Sequence, residues 1–251
     1  MSFHLSPFYR SAIDVCREAQ RILSSELIPS LFEKEGFVGA GGDLSSGMDM
    51  AVEKLLMDAL GRFGSFDSEE SGQVGEGEST IVLDPLDGSA NALSRFPYYG
   101  TSIARLDGEG ILKEALVCNF ANGDLFLIDA EGNPLKGNLG LEQFKAPAPP
   151  PRPEIGLFEK AYAHPEIVAA LDAEGLKFRS PGAVALSLAY ARYVNYMLFV
   201  GPFRIYDFAA GLALCKDLEL LVEEDYVIVA RNPEVAGKLN EIVRERSVEK
   251  V

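Results

Sequence analysis

Two aspartates, Asp84 and Asp87, stand three residues apart in the run Asp84-Pro85-Leu86-Asp87-Gly88-Ser89, directly after the short run Thr80-Ile81-Val82-Leu83. Pro85 fixes the turn between them, so both carboxylates can face one cavity with the Leu86 carbonyl exposed in the middle. Hard oxygen ligands converging from a rigid element are what a magnesium ion needs, because it favours near-octahedral oxygen coordination and keeps several waters. Gly88 and Ser89 add unobstructed backbone N–H groups, and a helix starting there would present its positive end to a phosphate. Asp, Pro and Gly are also the commonest turn formers, so the run taken alone reads first as a turn.

Other chemistries that use similar residues fail on spacing. A calcium-binding loop starting at Asp84 needs an oxygen-bearing side chain at its third position and Glu at its twelfth, where this chain has Leu86 and Arg95. Gly39-Ala40-Gly41 lacks the third glycine of a dinucleotide fingerprint, since Leu44 stands in its place, and there is no Gly-Lys-Ser/Thr phosphate loop. The two histidines, His4 and His164, are remote from the carboxylate run and read as surface or helix-end residues. No Gly-x-Ser-x-Gly elbow has a histidine partner, which leaves serine-nucleophile chemistry unsupported.

The elements that must position these groups follow from periodicity. Helical spacing of Ala12, Ile13, Val15, Cys16, Ala19 and Ile22 predicts an amphipathic helix from Phe8 to about Ser30. A loop with four glycines in seven residues, Gly36 to Gly42, follows, and a second helix starts near Gly47 and runs to Leu60. Thr80 to Leu83, Gly100 to Leu106, Leu112 to Phe120 and Gly123 to Asp129 read as strands of an extensive antiparallel sheet. The proline-rich segment from Ala146 to Pro153 cannot enter a sheet interior, and it places a boundary near 150 between regions 1–150 and 151–251. Beyond it, His164 to Glu174, Gly182 to Tyr193 and Asp207 to Leu218 read as helices, and Tyr196 to Val200 and Leu220 to Ala230 as strand-like runs.

Composition narrows the partners. The 251 residues carry 23 Lys plus Arg against 38 Asp plus Glu, a formal charge of −15, which disfavours nucleic-acid backbones and suits a protein that holds divalent cations. A hydrophobic content of 47% is enough for a core without staples. Three widely spaced cysteines, Cys16, Cys118 and Cys215, offer no zinc or redox pair and point to a reducing cytoplasm. Neither an export signal nor a stretch of about 18 apolar residues is seen, so the reading is a soluble protein with no membrane partner. The acidic run Glu219, Glu223, Glu224 and Asp225 reads as a solvated face.

Four motifs occur in order: Asp43-Leu44-Ser45-Ser46-Gly47-Met48-Asp49-Met50-Ala51-Val52-Glu53, Phe66-Asp67-Ser68-Glu69-Glu70-Ser71, Asp84 to Asn91, and Tyr206-Asp207-Phe208-Ala209-Ala210-Gly211. Together with an Asn122-Gly123-Asp124 turn and a helix start at Gly182, they resemble the inositol monophosphatase and fructose-1,6-bisphosphatase superfamily over roughly residues 8 to 240. The resemblance implies an α/β (α+β) fold, a layered αβαβα sandwich, and phosphate-ester hydrolysis assisted by two to three Mg2+ ions, with Mn2+ able to substitute. It implies that Glu69, Asp84, the Leu86 carbonyl and Asp87 hold the first metals, and that Asp84, Asp87 and Asp207 share the second. Asp49 would help hold a third and, with the Ser89 hydroxyl, orient the attacking water. Gly88 and Ser89 would receive the phosphate, with Glu70 behind Glu69. A homodimer is the assembly the resemblance implies.

The substrate side departs from the inositol-specific pattern. Where those enzymes carry a Glu shortly before the last metal Asp, this chain reads Leu198-Phe199-Val200-Gly201-Pro202-Phe203-Arg204-Ile205-Tyr206. An arginine there is similar to archaeal-type members that hydrolyse both fructose 1,6-bisphosphate and inositol 1-phosphate. Arg204 and Arg179 are the expected contacts for a second phosphate, with Lys160 and Tyr162 as weaker candidates, and surface ion pairing is the alternative for both arginines. A 3'-phosphoadenosine 5'-phosphate phosphatase and a catalytically silent metal- or phosphate-binding regulator are the competing functions. The Gly36 to Gly42 loop reads as a mobile lid or as a plain connector.

Overall fold

The computed structural model describes residues 4–24, 34–42 and 44–247. The expected continuation of the first helix to Ser30 and the motif residue Asp43 lie outside the described residues. Helix α1 (Pro7–Leu23) starts on Ser6, whose hydroxyl accepts the Tyr9 N–H, with Pro7 in the first turn where its missing donor is harmless. Strands β1 (Lys34–Val38) and β2 (Leu44–Ser46) pair antiparallel, so the first part of the expected glycine loop is a strand and only Gly39 to Gly42 turns. Helix α2 (Gly47–Leu60) opens with a capping box in which the Ser46 and Asp49 side chains cap each other's backbone.

An eight-stranded sheet follows: β3 (Ser65–Ser68), β4 (Gly72–Val74), β5 (Thr80–Asp87), then, after the short α3 (Ser89–Leu93), β6 (Gly100–Leu106), β7 (Leu112–Asn119), β8 (Asp124–Ile128), β9 (Pro134–Asn138) and β10 (Leu141–Lys145). Its order is β10-β9-β8-β7-β6-β5-β3-β4, antiparallel except for the parallel pair β3 and β5. The proline-rich stretch then leads to β11 (Gly156–Glu159), α4 (Pro165–Ala173), β12 (Phe178–Arg179), α5 (Val184–Tyr190), β13 (Tyr196–Val200), α6 (Ile205–Ala213), β14 (Glu219–Val222), β15 (Tyr226–Ala230) and α7 (Pro233–Ser247). The strands of this second part form a five-stranded sheet in the order β12-β11-β13-β15-β14. The expected single run from Leu220 to Ala230 is two antiparallel strands, because Glu223, Glu224 and Asp225 supply the polar turn between them.

The layers are those expected. One face of the large sheet (Ile81, Leu83, Ile103, Leu116) packs on α1 and α2, and its other face (Val82, Ala104, Val117, Phe126) packs on α5 and α6. The opposite sides of α5 and α6 meet Met197, Phe199 and Val229 of the small sheet, whose far face is covered by α4 and α7. With both faces of each sheet buried, strands such as β5 and β13 read as continuous apolar runs rather than alternating ones. Apart from Ser187 and Asp207, helices α5 and α6 present apolar residues to both sheets for the same reason, and their close approach needs a glycine: a Cβ on Gly211 would meet Leu188 Cδ1 at 2.6 Å.

Candidate active site

The carboxylate run ends β5, and a bulge aims it. In the β5–β6 ladder Asp84 pairs with Ser102 but Asp87 with Gly100, so three steps on β5 match two on β6. Residues three apart in a regular strand point to opposite faces, and the extra residue reverses the parity, bringing both aspartates to one cavity. Pro85, which has no N–H to give the ladder, sits in that irregularity. The Leu86 amide donates to Asp84 Oδ1 at 2.9 Å, and Thr101 Oγ1 donates to the Asp84 carbonyl at 2.8 Å.

Parallel pairing of β3 with β5 puts Ser68 beside Leu83 and carries Glu69 alongside Asp84; the Glu69 N–H donates to the Leu83 carbonyl at 2.9 Å. Asp207 arrives in the first turn of α6, a helix held to the large sheet by Ser102 Oγ donating to the Tyr206 carbonyl. One carboxylate oxygen from each of Glu69, Asp84 and Asp207 lies within 4.8 Å of the others, and all three residues are buried. Burial pushes the Glu69 pKa up to about 7, against the pull of Arg204, with Asp207 adding to the rise. Asp84 is driven well above the carboxylate range by burial first and then by Glu69, Asp87 and Asp207; Asp87 follows by burial and by Asp207. Buried acids that repel one another in this way fit a hard divalent cation, whose charge offsets both terms.

The remaining expected residues except Arg179 line the same cavity of about 420 Å³. Asp49 is among them, and its Oδ2 accepts from the Ser46 N–H at 2.7 Å and the Ser46 hydroxyl at 2.5 Å. Glu70 accepts from the Ser45 hydroxyl, and burial raises its pKa. Leu86, Gly88 and Ser89 line the cavity too. The helix that starts at Ser89 has only five residues, so its dipole adds little to the N–H groups themselves. Asp87 Oδ2 accepts the Leu186 N–H at 2.8 Å, capping α5, whose own N-cap residue, Ala183, has no side-chain acceptor.

Of the two arginines, only Arg179 departs from the expected placement. Arg204 reaches the cavity, but its guanidinium is bound to Glu69 Oε1 at 2.6 Å, Asp207 Oδ2 at 3.3 Å and the Gly41 carbonyl at 3.1 Å. Arg179 does not line the cavity: it is exposed and donates to the Phe178 carbonyl beside it. The glycine turn packs on the acids, with the Ala40 and Gly41 N–H groups donating to the Glu70 and Glu69 carbonyls at 2.9 and 2.6 Å. A Cβ on Gly41 would come within 2.6 Å of Glu69 Cγ, so glycine is needed there for close approach.

Two buried acids escaped the sequence reading as functional groups. Glu53 accepts from Ser68 Oγ at 2.6 Å, Ser71 N–H at 3.0 Å and Ser71 Oγ at 2.7 Å, clamping the loop that bears Glu69; its spacing of four from Asp49 was the available signal. Glu159 accepts from the Gly182 N–H at 2.9 Å and from the Ser187 hydroxyl, and nothing in its local sequence marks it. Glu53→Ala is expected to cost about 2–4 kcal/mol in urea unfolding, because three donors lose their buried acceptor, and to lower the rate of any reaction at Glu69 by roughly tenfold or more.

The chain is 28% identical to the fructose-1,6-bisphosphatase of Pyrococcus furiosus over 200 residues, 74% of this chain and 72% of that one. It is 27% identical to the fructose-1,6-bisphosphatase/inositol-1-monophosphatase of Archaeoglobus fulgidus over 264 residues, 94% and 99% of the two chains. It is 28% identical to the Nus factor SuhB of Escherichia coli over 270 residues, 92% and 93%. The fold matches a crystal structure of an inositol monophosphatase–fructose 1,6 bisphosphatase with a TM-score of 0.76 at 18% identity, covering 94% of this chain and 100% of that one. It matches the Thermotoga maritima inositol monophosphatase at 0.73 and 18%, covering 93% and 97%. Since the model of the inositol monophosphatase family also matches residues 4–219, the chain belongs to that family.

Proposed function

We propose that this protein is a magnesium-dependent phosphate monoester hydrolase that releases phosphate from fructose 1,6-bisphosphate, inositol 1-phosphate or both. The observation that carries the proposal is the buried meeting of Glu69, Asp84 and Asp207 in the cavity that also holds Gly88 and Ser89. Bound at these carboxylates, magnesium supplies positive charge to the phosphoryl oxygens and lowers the pKa of the attacking water. Asp87 completes the acidic set with the oxygen not given to Leu186. The Gly88 and Ser89 N–H groups receive the phosphate, while Asp49 and the Ser89 hydroxyl orient the water. Glu70, braced by Ser45, keeps the Glu69 loop in place. No protein nucleophile is needed.

Three buried, unpaired cysteines support a cytoplasmic setting, and a homodimer belongs to the proposal on the family likeness alone. The test is steady-state phosphate release from fructose 1,6-bisphosphate, inositol 1-phosphate and 3'-phosphoadenosine 5'-phosphate, with magnesium and after chelation. Turnover of at least one of the first two that vanishes on chelation and returns with magnesium is the expected outcome. Turnover of the third alone would make the protein a nucleotide phosphatase, and no turnover of any would favour a silent phosphate-binding role.

A further inference from the structure

Seven carboxylates line the cavity against two cations, Lys160 and Arg204. A substrate with a second phosphate therefore brings a second dianion into an acidic cavity, and binding it needs a cation that the reacting phosphate does not use. Arg204 is engaged by Glu69, Asp207 and the Gly41 carbonyl. Lys160 is held differently. It is exposed, its Nζ lies 5.4 Å from the centre of the Phe199 ring, and among the described residues it forms no salt bridge, acting on the neighbouring Glu159 only as a nearby charge.

The backbone under Lys160 is built and strained. Lys160 has φ 56° and ψ 27°, and among the described residues only Arg95 shares a positive φ without being glycine. A glycine would hold this turn without strain, whereas a lysine holds it at a cost, a pattern found where a side chain is needed at a site. The turn is pinned on both sides. Glu159 before it is tied to Gly182 and Ser187, and after it the Ala161 N–H donates to Ser180 Oγ at 3.4 Å and the Ala163 N–H to the Lys160 carbonyl at 2.9 Å. The Gly182 carbonyl in turn abuts Gly88, where an added Cβ would lie 3.2 Å from it. A fixed backbone thus carries a flexible point charge on the cavity wall, suited to a phosphate whose orientation is not set by the reaction.

We propose that Lys160, rather than the outward-turned Arg179, binds the non-reacting phosphate and sets the preference for bisphosphate over monophosphate substrates. This rests on the phosphatase reading above. The test is steady-state kinetics on fructose 1,6-bisphosphate and inositol 1-phosphate with magnesium, for wild type, Lys160→Met, Lys160→Arg and Arg179→Met. Loss of one charge-assisted contact predicts a rise of about 10- to 100-fold in KM for the bisphosphate with Lys160→Met. Its kcat and the KM for inositol 1-phosphate should stay within about twofold, since those depend on groups Lys160 does not touch. Lys160→Arg restores most of the loss, and Arg179→Met resembles wild type. Lys160→Gly, which relieves the positive φ, should lose the same selectivity while its Tm rises by roughly 2 °C.

Equal changes for both substrates, or the same loss from Arg179→Met, would overturn the assignment. Calorimetric binding of fructose 1,6-bisphosphate to wild type and Lys160→Met separates the two levels. Wild type that hydrolyses neither ester sinks the phosphatase reading, whereas a variant that binds the bisphosphate as tightly as wild type sinks the role of Lys160.

Discussion

Asp84→Asn is expected to lower phosphate release by at least about a thousandfold and, without metal, to raise the melting temperature. The activity loss follows from removing one of three converging charges that hold the cation: about 4 kcal/mol of lost transition-state stabilisation is a factor of ~1000. The stability gain follows from the same crowding. Asp84 is buried beside Glu69, Asp87 and Asp207, and without a cation its charge meets only desolvation and repulsion. Asparagine keeps the shape and can still accept the Leu86 N–H, so about 1 kcal/mol of relief, or roughly 2–4 °C in a chain of this size, is expected. Thermal scans with and without magnesium check this: the ion should raise the Tm of wild type and leave the variant nearly unmoved. A variant that melts lower than wild type in chelator would show that Asp84 stabilises the fold rather than strains it.

Gly88→Ala is expected to cost about 2–4 kcal/mol and to reduce activity by about a hundredfold or more. Gly88 adopts φ +84°, which an alanine holds at a cost of about 1–2 kcal/mol. The added Cβ would also stand 3.0 Å from both Ala183 Cβ and the Tyr98 carbonyl, with the Gly182 carbonyl at 3.2 Å. These neighbours are backbone or short side chains, so the clash moves the loop that carries Asp87 and Ser89 against the wall that carries Gly182. Gly110→Ala isolates the conformational part, because Gly110 has φ +77° and open space around its Cβ direction. Urea unfolding should rank Gly88→Ala well below Gly110→Ala, and equal losses would mean that contact at Gly88 contributes nothing.

Much of this was legible in the amino-acid order because it is local. Helix α2 could be placed at Gly47 to Leu60 from its apolar spacing, and the Asp84 to Ser89 run could be recognised as a strand end with ligand chemistry. Strands β3, β4, β9 and β10 carry little periodic signal because they are short and partly exposed, and α7 carries little because Gly237 and its many charged residues thin its apolar stripe. At the site, residue types and their motifs were enough to nominate Glu69, Asp84, Asp87 and Asp207, since a hard-cation site demands carboxylates wherever it is built.

Position relative to one another was a different matter, because it depends on groups distant in sequence. The bulge opposite Ser102 and Gly100 decides that Asp84 and Asp87 share a face, and the parallel register of β3 brings Glu69 beside them. Packing of α6 across the large sheet decides where Asp207 arrives. Charge alone could not assign the cations, since Arg179, Arg204 and Lys160 each carry one positive charge. Only the tertiary structure turns Arg179 outward, spends Arg204 on the acids and leaves Lys160 on a strained turn facing the cavity. The amino-acid sequence by itself determined which chemistry the chain can hold; the tertiary structure decided which charges meet, because long-range sheet register and helix packing set those distances.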